Sequence, residues 1–256
     1  MFRFSVLSSG SGGNAVYIET ENARILLDAG LSAKALTVRL QSIGRDPETL
    51  DAIFLTHEHS DHVRGVGPLA RRFNVPVFAT LGTFENINGS AGRLPVRNRI
   101  GREDRVEIGD LHICSYPTPH DAAESVGYVF RRGNLKLGYA ADLGCAPDLV
   151  REKLMFCDAL IVESNHDIET LDNGPYPWNL KQRIKSDTGH LSNVACSDLL
   201  ASVAHKGLQT VVLTHLSESN NRPEYALAEN KRALKNSAAK MIVASQDKAT
   251  PLISII

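Results

Sequence analysis

Short apolar runs of three to six residues recur along the chain and alternate with polar or glycine-containing segments. Runs of this length, rich in β-branched and aromatic residues, are typical of buried strands. The pattern predicts strands over residues 4–7, 16–18, 24–27, 52–55, 77–79, 112–116, 126–130, 135–140, 159–162, 211–213 and 241–243.

Helical spacing of apolar residues fills most of the gaps between these strands. Ser32 and Ser192 suit the N-cap position of a helix, and Pro147 and Pro223 suit the first helical turn. The pattern predicts helices over residues 32–43, 62–70, 147–155, 192–204 and 223–234.

Residues 167–189 form the one long segment with neither pattern, and Gly174, Pro175 and Pro177 interrupt it. Long loops in compact domains are usually functional or mobile, so we expect an irregular segment beside an active site. The chain has 256 residues, of which 43% are hydrophobic, and it contains no close repeat or low-complexity linker. It is predicted to fold as one α/β domain over residues 1–256.

The composition argues against several classes of protein. The formal net charge is −1, so any surface that binds an anion must be local. The cysteines Cys114, Cys145, Cys157 and Cys196 form no C-x-x-C pair, which argues against a thiolate zinc site or a redox motif. No apolar run approaches the ~18 residues of a membrane span, and the N-terminus lacks the features of a signal peptide. We therefore expect a cytoplasmic protein.

The densest group of ionisable residues is THEHSDH, at residues 56–62, directly after a predicted strand. Crowded imidazoles and carboxylates cost free energy unless a cation collects them. His57 and His59 are two residues apart and can point the same way, whereas Asp61 and His62 follow a bend and can face a second point. The spacing therefore suits two metal ions better than one, and the alternative interpretation is a solvated polar loop.

Three later polar residues, His120, Asp142 and His215, also follow predicted strands closely. Zinc and manganese accept nitrogen and carboxylate ligands of this kind. The predicted ligand set is His57, His59 and His120 for one ion, Asp61, His62 and His215 for the other, with Asp142 as the bridge.

The H-x-H-x-D-H run, with the later His, Asp and His in this order, resembles the metallo-β-lactamase superfamily. The LLDAG run at residues 26–30 is similar to an early strand-turn motif of that superfamily. The resemblance implies an α/β fold of the αββα type, a four-layer sandwich with two sheets face to face, helices outside and metals at one edge.

Two positions of the motif narrow the branch of the superfamily that the chain resembles. His59 stands where di-iron electron-transfer relatives have Glu, and Asp142 where many β-lactamases have Cys. Both residues therefore favour a hydrolase with a carboxylate bridge, an arrangement suited to phosphodiesters.

His190, in TGHLSN at residues 188–193, is not needed as a ligand. It is similar to the histidine of a GHS-like motif in ribonuclease Z and in a phosphodiesterase of phosphonate metabolism, which implies a proton donor to the leaving oxygen. The alternative is a histidine at a helix start that bonds a backbone carbonyl.

Three segments, SSGSGGN at 8–14, VESNHD at 162–167 and the GHLSN run, together resemble the YycJ (WalJ)-like exonuclease group, which lacks a β-CASP insertion. The resemblance implies exonuclease action on double-stranded DNA from the 5′ end. Ser9, Ser11 and Asn14 are candidate substrate contacts in a glycine-rich turn, with a plain hairpin turn as the alternative. Asp28, Glu163 and His166 are candidates for hydrogen-bonding the ligand histidines on the side of the ring away from the metal.

The leading hypothesis is a phosphodiesterase with two divalent metal ions, Zn or Mn, acting on the ends of double-stranded DNA. A hydroxide held by the metals attacks phosphorus, Asp61 orients it, and His190 protonates the leaving group. Two clusters could contact DNA phosphates: five arginines within residues 93–105, and Lys181, Arg183 and Lys185 beside Tyr176 and Trp178. The alternatives are a small-molecule or cyclic-nucleotide phosphodiesterase with the same site and a non-catalytic metal-binding regulator.

Overall fold

The structure is a computed structural model and describes residues 1–87, 89, 91–235 and 237–256. Its strands form two seven-stranded sheets. The N-terminal sheet contains, in spatial order, β14 (Ile253–Ser254), β1 (Arg3–Ser8), β2 (Ala15–Glu19), β3 (Arg24–Leu27), β4 (Ala52–Phe54), β5 (Val77–Ala79) and β6 (Arg97–Arg99). The C-terminal sheet contains β13 (Lys240–Val243), β12 (Thr210–Thr214), β11 (Ala159–Glu163), β10 (Leu135–Ala140), β9 (Val126–Arg132), β8 (Leu111–Pro117) and β7 (Arg105–Ile108).

Helices cover the outer face of each sheet. The helices are α1 (Ala33–Ser42), α2 (Ser60–Val63), α3 (Val66–Phe73), α4 (Leu81–Asn86), α5 (Asp148–Leu154), α6 (Ile168–Asn173), α7 (Trp178–Lys185), α8 (Asn193–Val203) and α9 (Pro223–Ala233). Apolar residues of α1 and α3 pack on the N-terminal sheet, and those of α5, α8 and α9 pack on the C-terminal sheet. The predicted αββα sandwich is confirmed.

The core between the sheets is dominated by aromatic and aliphatic side chains. Phe54 stacks on Phe78 with ring centroids 4.6 Å apart and meets Tyr128 of the opposite sheet edge-on at 5.8 Å. The buried hydroxyl of Tyr128 donates a hydrogen bond of 2.7 Å to the carbonyl of Leu55. This bond joins the two sheets at the residue before the THEHSDH run.

The strand directions bring several loops to one edge of the sandwich. β3 to β6 run parallel, and so do β10 to β13. β1 has the direction of β3, and β8 has the direction of β10, because each pair is separated by one antiparallel strand. The carboxyl ends of all these strands therefore face the same edge within each sheet.

The segment 167–189 is not irregular, so that prediction was wrong. It contains α6 and α7, and the breakers Gly174, Pro175 and Pro177 fill the gap between them. The Asp167 carboxylate accepts from the amide of Thr170 and caps α6. Both helices are short, so neither shows enough apolar repeats to be recognised from the sequence. Among the described residues, no helix has the length and apolarity to span a membrane.

Candidate metal centre

The first cluster consists of the three histidines predicted for one ion. His57 follows β4, His59 precedes α2, and His120 follows β8. His59 Nδ1 lies 3.0 Å from His57 Nε2 and 3.2 Å from His120 Nε2. Three imidazole nitrogens that converge in this way form a ligand set for a metal ion.

The second cluster consists of Asp61, His62 and His215. Asp61 Oδ2 lies 3.5 Å from His62 Nε2 and 3.6 Å from His215 Nε2. Asp142 stands between the clusters, because its Oδ2 lies 3.0 Å from His62 Nε2 and it also groups with His57. The structure thus brings together all seven side chains of the predicted ligand set.

Two buried atoms of this centre make no hydrogen bond among the described residues: Asp142 Oδ2 and His215 Nε2. Buried polar atoms are normally paired, so unpaired atoms on two residues that line one cavity indicate a missing partner. Burial would lower the pKa of His62, but the carboxylates of Asp142, Asp28 and Asp61 raise it well above its ordinary value. The carboxylates therefore stabilise positive charge at this position, and a divalent cation would supply that charge.

Acceptors on the outer side of three ligand histidines fix which ring nitrogen is free. The Nδ1 of His62 lies 2.8 Å from Asp28 Oδ2, and that of His215 lies 2.9 Å from Glu163 Oε1. The Nδ1 of His120 lies 3.2 Å from the Gly189 carbonyl. A proton on each Nδ1 leaves Nε2 with its lone pair directed into the centre, as a metal ligand requires. Asp28 and Glu163 therefore contact ligand histidines, and their role as supports stays a prediction.

Burial also keeps two of the histidines neutral. It lowers the pKa of His57 well below the ordinary value, and the nearby His62 adds to the effect. It likewise lowers the pKa of His120. A neutral imidazole is the form that binds a metal.

The backbone at the centre adopts conformations that are rare for residues with side chains. Asp28, Asp142 and His215 have φ angles of 60°, 56° and 56°. Such left-handed residues cost on the order of 1–3 kcal/mol each and cluster at functional sites. Gly30 of the LLDAG run meets another constraint, because a Cβ atom there would lie 1.6 Å from the Asp61 carbonyl oxygen.

His190 lies beside the second cluster, and with Asp142, Glu163 and His215 it forms a further group of possible metal ligands. Its Nδ1 is 2.7 Å from Glu163 Oε1, the oxygen that also contacts His215. Glu163 Oε2 accepts from the backbone amides of Leu143 and Leu191 at 3.1 and 3.2 Å. The partner of His190 is thus a carboxylate. The alternative interpretation instead expects His190 to bond a backbone carbonyl. The side chain of His190 remains 20% exposed.

The glycine-rich turn at residues 8–14 holds the centre from one side. Ser9 is buried, and its hydroxyl accepts from the backbone amide of His215 at 2.6 Å. Asn14 donates to Asp61 Oδ2 at 3.1 Å and lies 3.0 Å from His62 Nε2. Of the three predicted substrate contacts only Ser11 is exposed, and the role of all three stays a prediction.

The turn offers few free amides to an anion. The amide of Gly10 donates to Asn14 Oδ1, that of Gly12 to Gln246 Oε1, and that of Gly13 to the Gly10 carbonyl. These three amides are therefore already bonded within the protein and are not available to bind an anion.

His166 is buried. Its carbonyl accepts from the amide of Asn193, and its Nδ1 makes no hydrogen bond among the described residues. The predicted contact between His166 and a ligand histidine is not among the hydrogen bonds of the described residues, so its role stays a prediction.

The sequence alone did not indicate a role for two residues near the centre, Thr56 and Asn165. Thr56 Oγ1 lies 2.9 Å from His57 Nδ1 and 3.0 Å from Asp28 Oδ2, so it links two loops. Asn165 donates to the carbonyl of His215 at 2.8 Å. Both stand inside the quoted motifs. Thr56 adjoins the ligand His57 and Asn165 adjoins the candidate His166, and this position was the only signal available.

A model of the metallo-beta-lactamase superfamily matches residues 9–183 of the chain. Exodeoxyribonuclease YycJ of Bacillus anthracis is 38% identical over 225 residues, which cover 87% of this chain and 85% of that protein. Exodeoxyribonuclease WalJ of Streptococcus pneumoniae serotype 2 is 36% identical, and the match covers 99% of this chain and 98% of that protein.

Among solved structures, the metallo-beta-lactamase fold protein YhfI of Bacillus subtilis is similar, with a TM-score of 0.75. The match covers 97% of this chain and 98% of YhfI at 18% sequence identity. This similarity concerns the fold alone.

Proposed function

The chain belongs to the metallo-beta-lactamase superfamily, and we propose that it is a metal-dependent exodeoxyribonuclease that digests double-stranded DNA from the 5′ end. Relatives named exodeoxyribonucleases match it over most of their length, which supports the reaction class. The observation that carries the proposal is the placement of His190, held by Glu163 at 2.7 Å beside a carboxylate-bridged ligand set.

The proposal assigns two divalent ions, Zn or Mn, to the centre. The ligands would be His57, His59 and His120 for one ion, Asp61, His62 and His215 for the other, and Asp142 between them. Bound there, the ions would lower the pKa of a water to roughly 7 and neutralise charge on the phosphate.

The side chains of the chain itself would supply proton transfer and orientation. Because His190 Nδ1 faces Glu163, Nε2 is the nitrogen that would give a proton to the leaving oxygen. Burial would lower the pKa of His190, but the Glu163 carboxylate raises it, which favours the protonated form needed by an acid. Asp61, held by the amide of Asn14, would orient the attacking water.

Exposed arginines offer a place for the DNA backbone. Arg93, Arg97, Arg99, Arg102 and Arg105 are all exposed on β6, the start of β7 and the adjoining loops. Within the described part of the chain none of them takes part in an ion pair. The Arg97 guanidinium also donates to the Phe84 carbonyl and lies over the Phe84 ring. Guanidinium groups without a carboxylate partner bind phosphates with an affinity that falls as salt rises.

A small-molecule or cyclic-nucleotide phosphodiesterase is the second candidate. The net charge of −1 supplies no long-range attraction for DNA, and Arg183 and Lys185 are paired with Asp121 and Asp172. Competition separates the two functions. Duplex DNA at micromolar concentration should inhibit cleavage of an aryl phosphodiester if DNA is the substrate, and should have no effect if it is not.

The direct experiment uses a blunt duplex with a 5′ phosphate and one labelled end, incubated with protein and Mn²⁺ or Zn²⁺. We expect stepwise loss of nucleotides from the 5′ end. The variant His57→Ala controls for contaminating nuclease and should be inactive. Turnover of the aryl phosphodiester without cleavage of any nucleic acid would overturn the proposal in favour of the small-molecule enzyme.

A further inference from the structure

A second cavity of about 190 Å³ adjoins the metal centre. It shares Ser11, Arg183, His190 and His215 with the cavity above the ligands, which has a volume of about 260 Å³. A molecule that reacts at the centre can therefore extend into this cleft past His190. The cleft is smaller than the roughly 300–1,000 Å³ of pockets that enclose drug-sized ligands, so it suits one small unit of a substrate.

One wall of this side cleft is apolar. Tyr176, Leu180 and Ile184 line it, and their spacing of four residues places them on one face of α7 and the turn before it. α7 buries none of its residues, so this face is not part of the core. Leu216 also lines the cleft. An apolar wall beside a centre for an anionic group indicates that the substrate has an apolar part next to its phosphate.

The wall is held in a defined position. Arg183 Nε lies 2.5 Å from Asp121 Oδ2, which ties α7 to the residue after the ligand His120. The amide of His190 donates to the carbonyl of Ile184 at 2.9 Å, which ties the proposed acid to the wall. Whatever packs against α7 is therefore aligned with His190.

The chemistry decides which part of a DNA end lies there. Release of a 5′-terminal mononucleotide breaks the bond between phosphorus and the 3′ oxygen of that nucleotide. The water oxygen forms the new bond to phosphorus, the water loses one proton to solvent, and the 3′ oxygen takes a proton from His190. His190 then regains a proton from solvent. The terminal nucleoside is the leaving group, so it must lie on the side of His190.

We propose that the side cleft receives the nucleoside of the 5′-terminal nucleotide and packs its base against Tyr176, Leu180 and Ile184. This inference rests on the proposed exonuclease function. Every base has an apolar face, so contact of this kind is tolerant of sequence. The enzyme then reads the presence of a terminal base and not its identity.

The test compares kcat/KM for two duplexes that differ only at the 5′-terminal residue, which carries thymine in one and is an abasic tetrahydrofuran in the other. Stacking of one base on an aromatic side chain corresponds to a factor of roughly 5 to 150, so wild-type protein should prefer the thymine duplex by about that factor. Tyr176→Ala and Leu180→Ala should bring the ratio close to one, whereas Tyr176→Phe should keep it. The matched control is Tyr225→Ala, an exposed tyrosine on α9 that lines a different groove, and it should keep the wild-type ratio.

The outcomes separate the two proposals. A wild-type ratio near one with digestion intact, or an unchanged ratio in Tyr176→Ala and Leu180→Ala with wild-type metal content, would overturn the side cleft as the nucleoside site. If wild-type protein digests neither duplex, the proposed function fails, and the inference fails with it. Metal content and thermal unfolding of each variant identify any that does not fold, and the folded one of Tyr176→Ala and Leu180→Ala, with the wild-type ratio, then supplies the comparison.

Discussion

The orientation of single imidazole rings is the most informative feature at the residue scale. Glu163 is the shared support, because one of its oxygens faces both His190 and His215 while the other accepts from two backbone amides. A single carboxylate therefore links a metal ligand to the proposed acid. The two histidines cannot be positioned independently of each other.

Replacing Glu163 with Gln should weaken both functions of that carboxylate. The amide has one acceptor oxygen and adds a donor that faces ring or backbone N–H groups. Loss of such a support typically lowers metal affinity about 10- to 100-fold, and we expect this range together with reduced turnover. The measurement is a metal-binding titration. Glu107→Gln is the control, because Glu107 makes a similar contact of 2.9 Å to His112 on the surface. Unchanged affinity in Glu163→Gln would show that the support is dispensable.

Replacing His190 with Ala should lower kcat while the metal content stays at the wild-type level. Loss of a general acid typically costs about 10²- to 10⁴-fold in rate. Both quantities should be measured on the same preparation, with His112→Ala as a matched surface control. His190 also lies within ligand distance of Asp142 and His215. A loss of metal in His190→Ala would therefore make it a ligand, contrary to its proposed role as the acid.

At the scale of elements, the centre is built where strands end. Asp28, Asp142 and His215 follow β3, β10 and β12, and each turns through a left-handed backbone conformation. These turns direct side chains of both sheets inward at one edge. The LLDAG turn also passes close to α2, which is why a glycine stands at position 30.

Gly30→Ala should displace the Asp61 loop. The new Cβ would lie 1.6 Å from the Asp61 carbonyl oxygen and 2.6 Å from the Asn14 amide nitrogen, so backbone must move. Overpacking typically costs about 1–3 kcal/mol, and we expect at least this loss in the free energy of unfolding together with weaker metal binding. Urea denaturation of metal-free protein measures the first quantity. Gly89→Ala is the control, because none of the described residues beyond its chain neighbours lies within 4 Å of its added Cβ. Equal stability of the two variants would contradict the close approach.

The elements that the sequence predicted are those with a strong apolar period. Every predicted strand overlaps a strand of the structure, and Ser32 and Ser192 cap α1 and α8 as expected. The exposed strands β6 and β7 were missed because they are short and rich in arginine and glutamate. α7 was missed because it is short and buries none of its residues: Leu180 and Ile184 face the side cleft, and Trp178 is exposed.

Only part of the candidate site could be predicted from the sequence: the ligands could, but the contacts that hold them could not. Crowded histidines in one short run indicated the ligands, and the strand ends indicated their partners. The shared contact of Glu163 with His190 and His215, and the interior use of Ser9 and Asn14, depend on how distant loops meet. No local pattern encodes such contacts.

At the scale of the whole molecule, the centre joins the two halves of the sandwich. His57, Asp61 and His62 come from the N-terminal sheet, whereas His120, Asp142 and His215 come from the C-terminal sheet. A cation bound to both sets would hold the sheets together at this edge. Metal binding should therefore contribute to the stability of the whole fold.

Adding Zn²⁺ or Mn²⁺ to chelator-treated protein should raise the free energy of unfolding. A ligand at 100 times its Kd stabilises the folded state by about 2.7 kcal/mol per site if the unfolded chain does not bind it. Denaturant titrations with and without metal measure the difference. The gain should shrink in His57→Ala and persist in His112→Ala, and equal stability of wild type with and without metal would contradict the link between the sheets.

The requirement for two ions is tested by titrating metal into chelator-treated protein and measuring the rate at which it digests a 5′-phosphorylated duplex. We predict no digestion without metal and a rate that rises until two equivalents per chain are bound. We also predict that His57→Ala stays inactive at every metal concentration. Digestion by metal-free protein, or a rate that saturates at one equivalent, would contradict the account of two ions held by the seven ligands.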